Sequence, residues 1–222
     1  MKAPDGNKLA ILQALNTGGF ISGQQLGEQL GISRAAVGKH IHSLQEMGLD
    51  IFKVTGKGYC LNNSAGLLNK DKIGQHYNEL GGSTANVEVQ PIIDSTNSEL
   101  MRRLQTEVSL PSGSVLVAEM QQAGRGRRGR VWQSPFGANL YFSYFWRLDD
   151  GLQAAMGVSI AVGLAVYDTL KALYQLDVEL KWPNDIYLNR EKLAGVLVEL
   201  DGQPQGPCQL VKGIGINLYM PE

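Results

Sequence analysis

Apolar positions fall into two differently patterned regions. In the first sixty residues they recur at helical spacing: Leu9, Leu12 and Leu15 mark one helix, and Leu26 with Leu30 a second. Gly31-Ile32-Ser33 predicts a tight turn, with Ser33 as N-cap of a third helix on which Val37, Ile41, Leu44 and Met47 form one apolar stripe. At about 100° per residue, Ala35, Lys39, His42 and Ser43 fall on the opposite face. The run from Asp50 to Leu61 predicts two short strands around Thr55-Gly56-Lys57-Gly58.

Beyond the small, polar stretch Leu61–Gly66 the pattern changes to strands interleaved with helices. Val87–Ile93, Ser114–Gln122, Asn139–Arg147, Lys192–Leu200 and Leu210–Asn217 read as strands. Thr96 and Glu99 have capping-box spacing and predict a helix that turns Leu100 and Leu104 inward. The most apolar segment, Ala154–Leu173, is interrupted by Gly157, Gly163, Asp168 and Lys171, and predicts a buried helix, not a membrane span. Pro183 stands in an otherwise extended run, Lys181–Leu188, which predicts a bulge or an edge position. The expectation is a domain over residues 1–63 and an α+β domain over 64–222.

Composition narrows this little. Hydrophobic residues make up 43% and charged residues 18%, as in ordinary globular proteins. A net charge of −1 means that nucleic-acid contact must come from a local patch. Cys60 and Cys208 lack metal-ligand spacing, which predicts reduced thiols and a cytoplasmic location. The start carries no apolar run, so no signal peptide is expected.

The chemistry-bearing residues form several groups. Two helices joined by a glycine-containing turn, followed by a hairpin, read as a winged helix-turn-helix. Ser33, Arg34, Ala35, Ala36, Lys39, His42 and the wing residues Lys53 and Lys57 are its candidate DNA contacts. A small helical protein-contact domain is the alternative. His40 and His42 lie on different faces and cannot jointly hold a metal. Gly124-Arg-Gly-Arg-Arg-Gly-Arg130 reads as a loop that folds over an anion, glycine freeing the backbone and arginine supplying forked donors, or else as a solvated basic linker. Ser95, Thr96 and Asn97 open a helix after a strand, a place for a polar ligand atom or for simple capping. Asn184 and Asp185 can turn towards phosphates through magnesium, and Lys192 starts a strand where it can stabilise transferring phosphoryl charge. Gly213 and Gly215 let a ligand lie close to backbone. Trp132 and Tyr141 are weak candidates for ligand walls. No catalytic triad, zinc set, P-loop or dinucleotide fingerprint occurs. What remains suits carboxylate activation by adenylation, where two anions are brought together and charge is neutralised.

Gly124–Arg130, Lys181–Asp185, Lys192–Gly195 and Gly213–Asn217, behind a winged helix-turn-helix, resemble the bifunctional biotin protein ligase and biotin-operon repressor family. The resemblance implies a mixed-sheet catalytic domain similar to class II aminoacyl-tRNA synthetases. It implies that ATP and biotin give biotinyl-5′-AMP, and that biotin passes to a lysine of the biotin carboxyl carrier protein of acetyl-CoA carboxylase. It implies a biotin site of Ser95, Thr96, Asn97, Gln121, Arg125, Gly126, Arg127, Lys192 and Gly195, with Lys192, Arg125 and Arg127 catalytic. ATP and magnesium fall to Arg127, Arg130, Lys181, Asn184, Asp185 and Asn217, the metal to Asp185. It further implies a homodimer when the adenylate is bound, acting as corepressor on operator DNA. Gly38 departs from the polar residue expected in the recognition helix. The family continues beyond the position of Glu222 into further helices and a β-barrel domain, so the chain is expected to be truncated. A non-catalytic, adenylate-sensing repressor is therefore the alternative; a lipoate-type ligase lacks its glycine-rich signature here.

Overall fold

Helix-forming spacing in the first sixty residues produces three helices, α1 (Gly6–Asn16), α2 (Gly23–Leu30) and α3 (Arg34–Glu46), then a hairpin of β1 (Ile51–Val54) and β2 (Gly58–Leu61). The computed structural model describes residues 6–62, 67–80, 87–106, 110–149, 157–202 and 206–218. They fall into two compact units, residues 1–68 with 135–137 and residues 69–134 with 138–222. The expected linker at 61–66 falls mostly outside the described residues.

In the first unit, Ser22 and Gln25 form a reciprocal capping box at the start of α2, and Gly31 ends that helix at φ 65°. A Cβ on Gly27 would stand 2.6 Å from the Ile32 carbonyl oxygen, so the turn into α3 closes only on bare backbone. Ser33 caps α3, accepting from the Ala36 N–H at 3.1 Å. Ile11, Leu12, Leu15, Leu26, Val37, Ile41 and Leu44 are buried and make the core. Each such side chain contributes roughly 1.5–3 kcal/mol on burial. β1 and β2 pair antiparallel from Ile51↔Leu61 to Val54↔Gly58. The wing turn is therefore Thr55–Lys57, one residue shorter than the sequence suggests.

The second unit is a seven-stranded mixed sheet. Its elements are α4 (Lys70–Glu79), β3 (Val87–Ile93), α5 (Thr96–Gln105), β4 (Val115–Gln121), β5 (Leu140–Leu148), α6 (Val158–Tyr174), β6 (Val178–Lys181), β7 (Asp185–Leu188), β8 (Glu191–Gly202) and β9 (Cys208–Ile216). The sheet order is β3-β4-β5-β9-β8-β7-β6. Only β3 and β4 run parallel, as their connection through α5 requires. α5 packs with Leu100 against Leu116, Phe145 and Val211. α6 packs Leu170 against Val178, Ile186, Ala194, Val196, Ile214 and Ile216.

Two expectations are corrected and a third is narrowed. The cap of α5 is Ser95, whose side chain accepts from Ser98 N–H, not Thr96. Thr96 is instead drawn to Gln121, and Glu99 to Arg102 and Arg103. α6 is not a buried helix: it buries Gly163 and Leu170 while Ile160, Leu164, Leu173 and Tyr174 are exposed. Its apolar residues run all round, more than one sheet face can cover. Of the bulge or edge position predicted for Pro183 the structure has the edge, with Lys181–Leu188 divided into two strands. β6 and β7 form an edge hairpin whose turn holds a cis Trp182–Pro183 bond.

Candidate functional site

The central cleft is assembled from α5, β4, the loop after β4, β8 and β9, which the sheet brings side by side. The start of α5 contributes Ser95, Thr96 and Asn97, each only 2–3% exposed. The end of β4 supplies Gln121, the loop after it Arg125, Gly126, Arg127 and Trp132, and the strands β8 and β9 Lys192, Gly195, Gly213 and Gly215. Asn184 and Phe142 complete the lining near them. All nine expected biotin-site positions therefore line one cavity.

The floor is a hydrogen-bonded chain. Gln121 Oε1 accepts from Thr96 N–H at 2.9 Å and from Thr96 Oγ1 at 3.1 Å. Ser143 Oγ lies 2.7 Å from Thr96 Oγ1 and 2.5 Å from Asn97 Oδ1, and is itself fully buried. Buried polar groups in this number are held only because each is paired. Neighbouring Tyr141 is buried, its hydroxyl pushed up to about 12 by desolvation, and it stays outside the cavity as core.

The arginine loop folds back on itself. Gly126 N–H donates to the Arg130 carbonyl at 2.7 Å, Trp132 N–H to the Gly124 carbonyl at 2.9 Å, and residues 127–129 make one 3-10 turn. A Cβ on Gly124 would stand 2.5 Å from the Trp132 carbonyl oxygen, so the glycine is required for this closure. The cations of the site are each held by a neighbour. Arg125 Nη2 bonds Glu199 Oε2 at 2.9 Å, Arg127 Nη1 bonds Asn184 Oδ1 at 2.6 Å, and Lys192 Nζ pairs with Asp185 Oδ1 at 2.8 Å.

Expectation and structure part at several residues. Gly195 and Gly215 face each other across β8 and β9, and the Trp132 ring covers both. The space that glycine leaves is thus filled by an indole, not left open for a ligand. The Trp132 Nε1–H is buried without a hydrogen-bond partner among the described residues. Arg130, Lys181 and Asn217 do not line the cavity. Arg130 is exposed on the loop. Lys181 stands on the edge hairpin with its ammonium 4.6 Å from the Tyr187 ring centroid. Asn217 ties down the strand start, donating to the Lys192 carbonyl at 3.0 Å. Asp185 lies behind Lys192. Glu199 and Ser143 were missed; the available signal was strand alternation, which puts Glu199 on the face of Gly195 and Leu197.

Asp185 Oδ1 takes both the Lys192 bond and one from the Asn184 amide, which leaves Oδ2 outside these bonds. Magnesium is commonly held by one or two carboxylates and substrate phosphates, so this donor set fits. Among the described residues no group of three or more metal-binding side chains occurs.

In the first unit, Ser33, Arg34, Ala35, Lys39, His42 and Lys57 are exposed, and Ala36 is half-buried. His42 pairs with Glu46 at 3.5 Å, one turn on. Gly38 has only Tyr59 Oη near a built Cβ, at 3.9 Å, so a side chain fits there. Among the described residues no helix is long and apolar enough to cross a membrane.

Residues 89–217 match the biotin/lipoate A/B protein ligase family, and residues 7–60 match an HTH domain. The chain is 50% identical over 212 residues to the bifunctional ligase/repressor BirA of Salmonella typhimurium, covering 96% of this chain and 64% of that protein. It is 34% identical over 201 residues to BirA of Bacillus subtilis, covering 90% and 60%. The chain thus spans less than two thirds of the length of these relatives. The structure of biotin protein ligase from Aquifex aeolicus in complex with biotin and ATP aligns with a TM-score of 0.51 at 35% identity, over 62% of this chain and 54% of that one. With more than half of its residues matched, the chain belongs to the biotin/lipoate A/B protein ligase family.

Proposed function

We propose that the second unit activates biotin with ATP and that the first unit binds operator DNA. The observation that carries the first half is the convergence of Lys192, Arg125 and Arg127 on one cavity with the polar floor of Ser95, Thr96, Asn97 and Gln121. Two anions, a carboxylate and a triphosphate, repel unless cations stand between them. A carboxylate oxygen attacks the α-phosphorus of ATP, the bond to pyrophosphate breaks, and biotinyl-5′-AMP remains. Lys192 at the mouth of β8 offsets the charge that develops on the α-phosphate, and Arg125 with Arg127 covers the product. Asp185 would hold a magnesium ion together with the substrate phosphates, and the ion would supply positive charge opposite the leaving pyrophosphate.

In the second half-reaction a lysine amine of a carrier protein attacks the acyl carbon and releases AMP. The expected acceptor is the biotin carboxyl carrier protein of acetyl-CoA carboxylase. The adenylate-bound chain dimerises and places two copies of α3 on a two-half-site operator, with Arg34, Lys39 and Lys57 on phosphate and base edges.

Calorimetric titration with biotin, then with ATP and magnesium while pyrophosphate is measured, tests the reading. Biotin binds and pyrophosphate is released, and Lys192→Ala lowers release by about 10²–10³-fold. Binding without release would leave an adenylate or biotin sensor on a DNA-binding arm. Absence of binding would overturn the site assignment.

A further inference from the structure

Glu199 stands on β8 in register with Gly195 and Leu197, its side chain 24% exposed. One of its oxygens, Oε2, receives two donors: Arg125 Nη2 from the loop at 2.9 Å and Asn97 Nδ2 from the floor at 2.8 Å. Ser143 Oγ–H donates to Asn97 Oδ1, Thr96 Oγ1 lies 2.7 Å from Ser143 Oγ, and Thr96 N–H donates to Gln121 Oε1. Gln121 Nε2 then donates to Ser134 Oγ at 3.1 Å, and Ser134 Oγ to the Trp132 carbonyl at 3.2 Å. A single chain of hydrogen bonds thus crosses the floor and grips the arginine loop at both ends. Its one charged member on the floor side is Glu199, which makes that grip the strongest link.

We propose that Glu199 is a positioning residue that latches the arginine loop through Arg125 and couples the latch to the floor through Asn97. This rests on the reading that the cavity takes biotin. With the loop in this position the cavity, partly open to solvent, holds about 50 Å³. Small-molecule sites are roughly 300–1,000 Å³, so a bicyclic ligand has to lift the loop to get in. The Arg125–Glu199 pair breaks for access and re-forms for retention. Glu199 therefore sets how long the ligand stays, while Lys192 sets the rate of chemistry.

The test is Glu199→Gln in the full chain. Glutamine keeps the shape and still accepts from Asn97, but removes the charge that holds Arg125. In the ligand-free protein, trypsin cuts within residues 125–130 about 3–10-fold faster than in the wild type, as local opening becomes easier. Biotin dissociates faster and KM for biotin rises by about the same factor, while kcat for pyrophosphate release changes less than about twofold. Arg125→Ala accelerates dissociation too, and adding Glu199→Gln to it changes nothing further, since the two residues act as one link. Wild-type cutting and dissociation rates in Glu199→Gln would overturn the latch, as would additive effects in the double variant. If the wild type binds no biotin, the functional reading fails, and the trypsin arm still decides the latch. Where Glu199→Gln lowers the unfolding midpoint, Glu199→Asp, which keeps the charge but falls short of Arg125, carries the same trypsin comparison with every cleavage site of the loop intact.

Discussion

On one face of β9, Gly213 and Gly215 present no side chain, so the Asn97 amide and the Trp132 ring come down onto the strand itself. On the other face, Lys212, Ile214 and Ile216 project into an apolar groove under α6, with Val162, Val166 and Leu170 opposite. One strand therefore builds a polar cleft by leaving side chains out and an apolar core by putting them in. The difference shows why glycine, which weakens most strands, is kept where a large ring must lie flat on backbone. It also isolates Lys212, a residue 8% exposed, whose ammonium stands 4.5 and 4.4 Å from the Tyr144 and Trp146 ring centroids.

Placing a methyl on the cleft face breaks this division most severely. In Gly215→Ala the new Cβ meets Trp132 ring atoms at about 2.5 Å. The indole has to leave, and stability falls by about 1–3 kcal/mol in urea titration, with a shift in tryptophan emission. An unchanged emission spectrum would mean that Trp132 does not lie on the glycines.

Removing the charge from the groove face has a smaller effect of opposite sign. Burial pushes the Lys212 ammonium down to about 8 from 10.5. Between those two values the unfolded chain binds the extra proton, so stability rises with pH across that window and the burden is full below pH 8. Lys212→Met stabilises the protein at pH 7 by about 1–2 kcal/mol, and the gain fades as pH climbs towards 10.5. Equal stability of the two proteins at pH 7 would show that the ammonium is paired or solvated.

The smallest effect is expected from charges on neither face. Arg102 forks onto Asp94 at 2.6 and 3.0 Å and holds that carboxyl below the usual carboxylate range. Both side chains are about half exposed. Arg102→Met costs about 0–1 kcal/mol, present above the ordinary carboxylate range and lost as pH falls below it. A loss as large as that of Gly215→Ala would make this exposed pair, not the sheet faces, the main support of α5.

Much of the fold was legible because burial imposes a period. The stripe Val37, Ile41, Leu44, Met47 and the strands near 87–93, 139–147 and 210–217 follow from it directly. The misreadings share one cause. Thr96 was taken for a cap because its spacing to Glu99 is right, but Gln121, twenty-five residues on, draws it away. Apolar content made Ala154–Leu173 a buried helix, yet how much of α6 is covered depends on what packs against it. Pro183 predicts a bulge or an edge position, and the spacing alone does not say that the edge takes the form of a hairpin turn.

Local sequence alone determined the two units' element types, the Ser33 cap, the glycine turn before α3 and the presence of an arginine-rich loop after a strand. These depend on backbone propensity, capping and the periodicity of burial, all of which act within a few residues. Tertiary structure decided that Trp132, not a ligand, covers Gly195 and Gly215, that Lys181 and Arg130 stand away from the cavity, and that Glu199 joins Arg125 to Asn97. Such contacts link β4, β5, β8, α5 and the loop across as many as 102 positions. They exist only once the order β4-β5-β9-β8 is set, because side chains so far apart in the chain meet only through the register of paired strands.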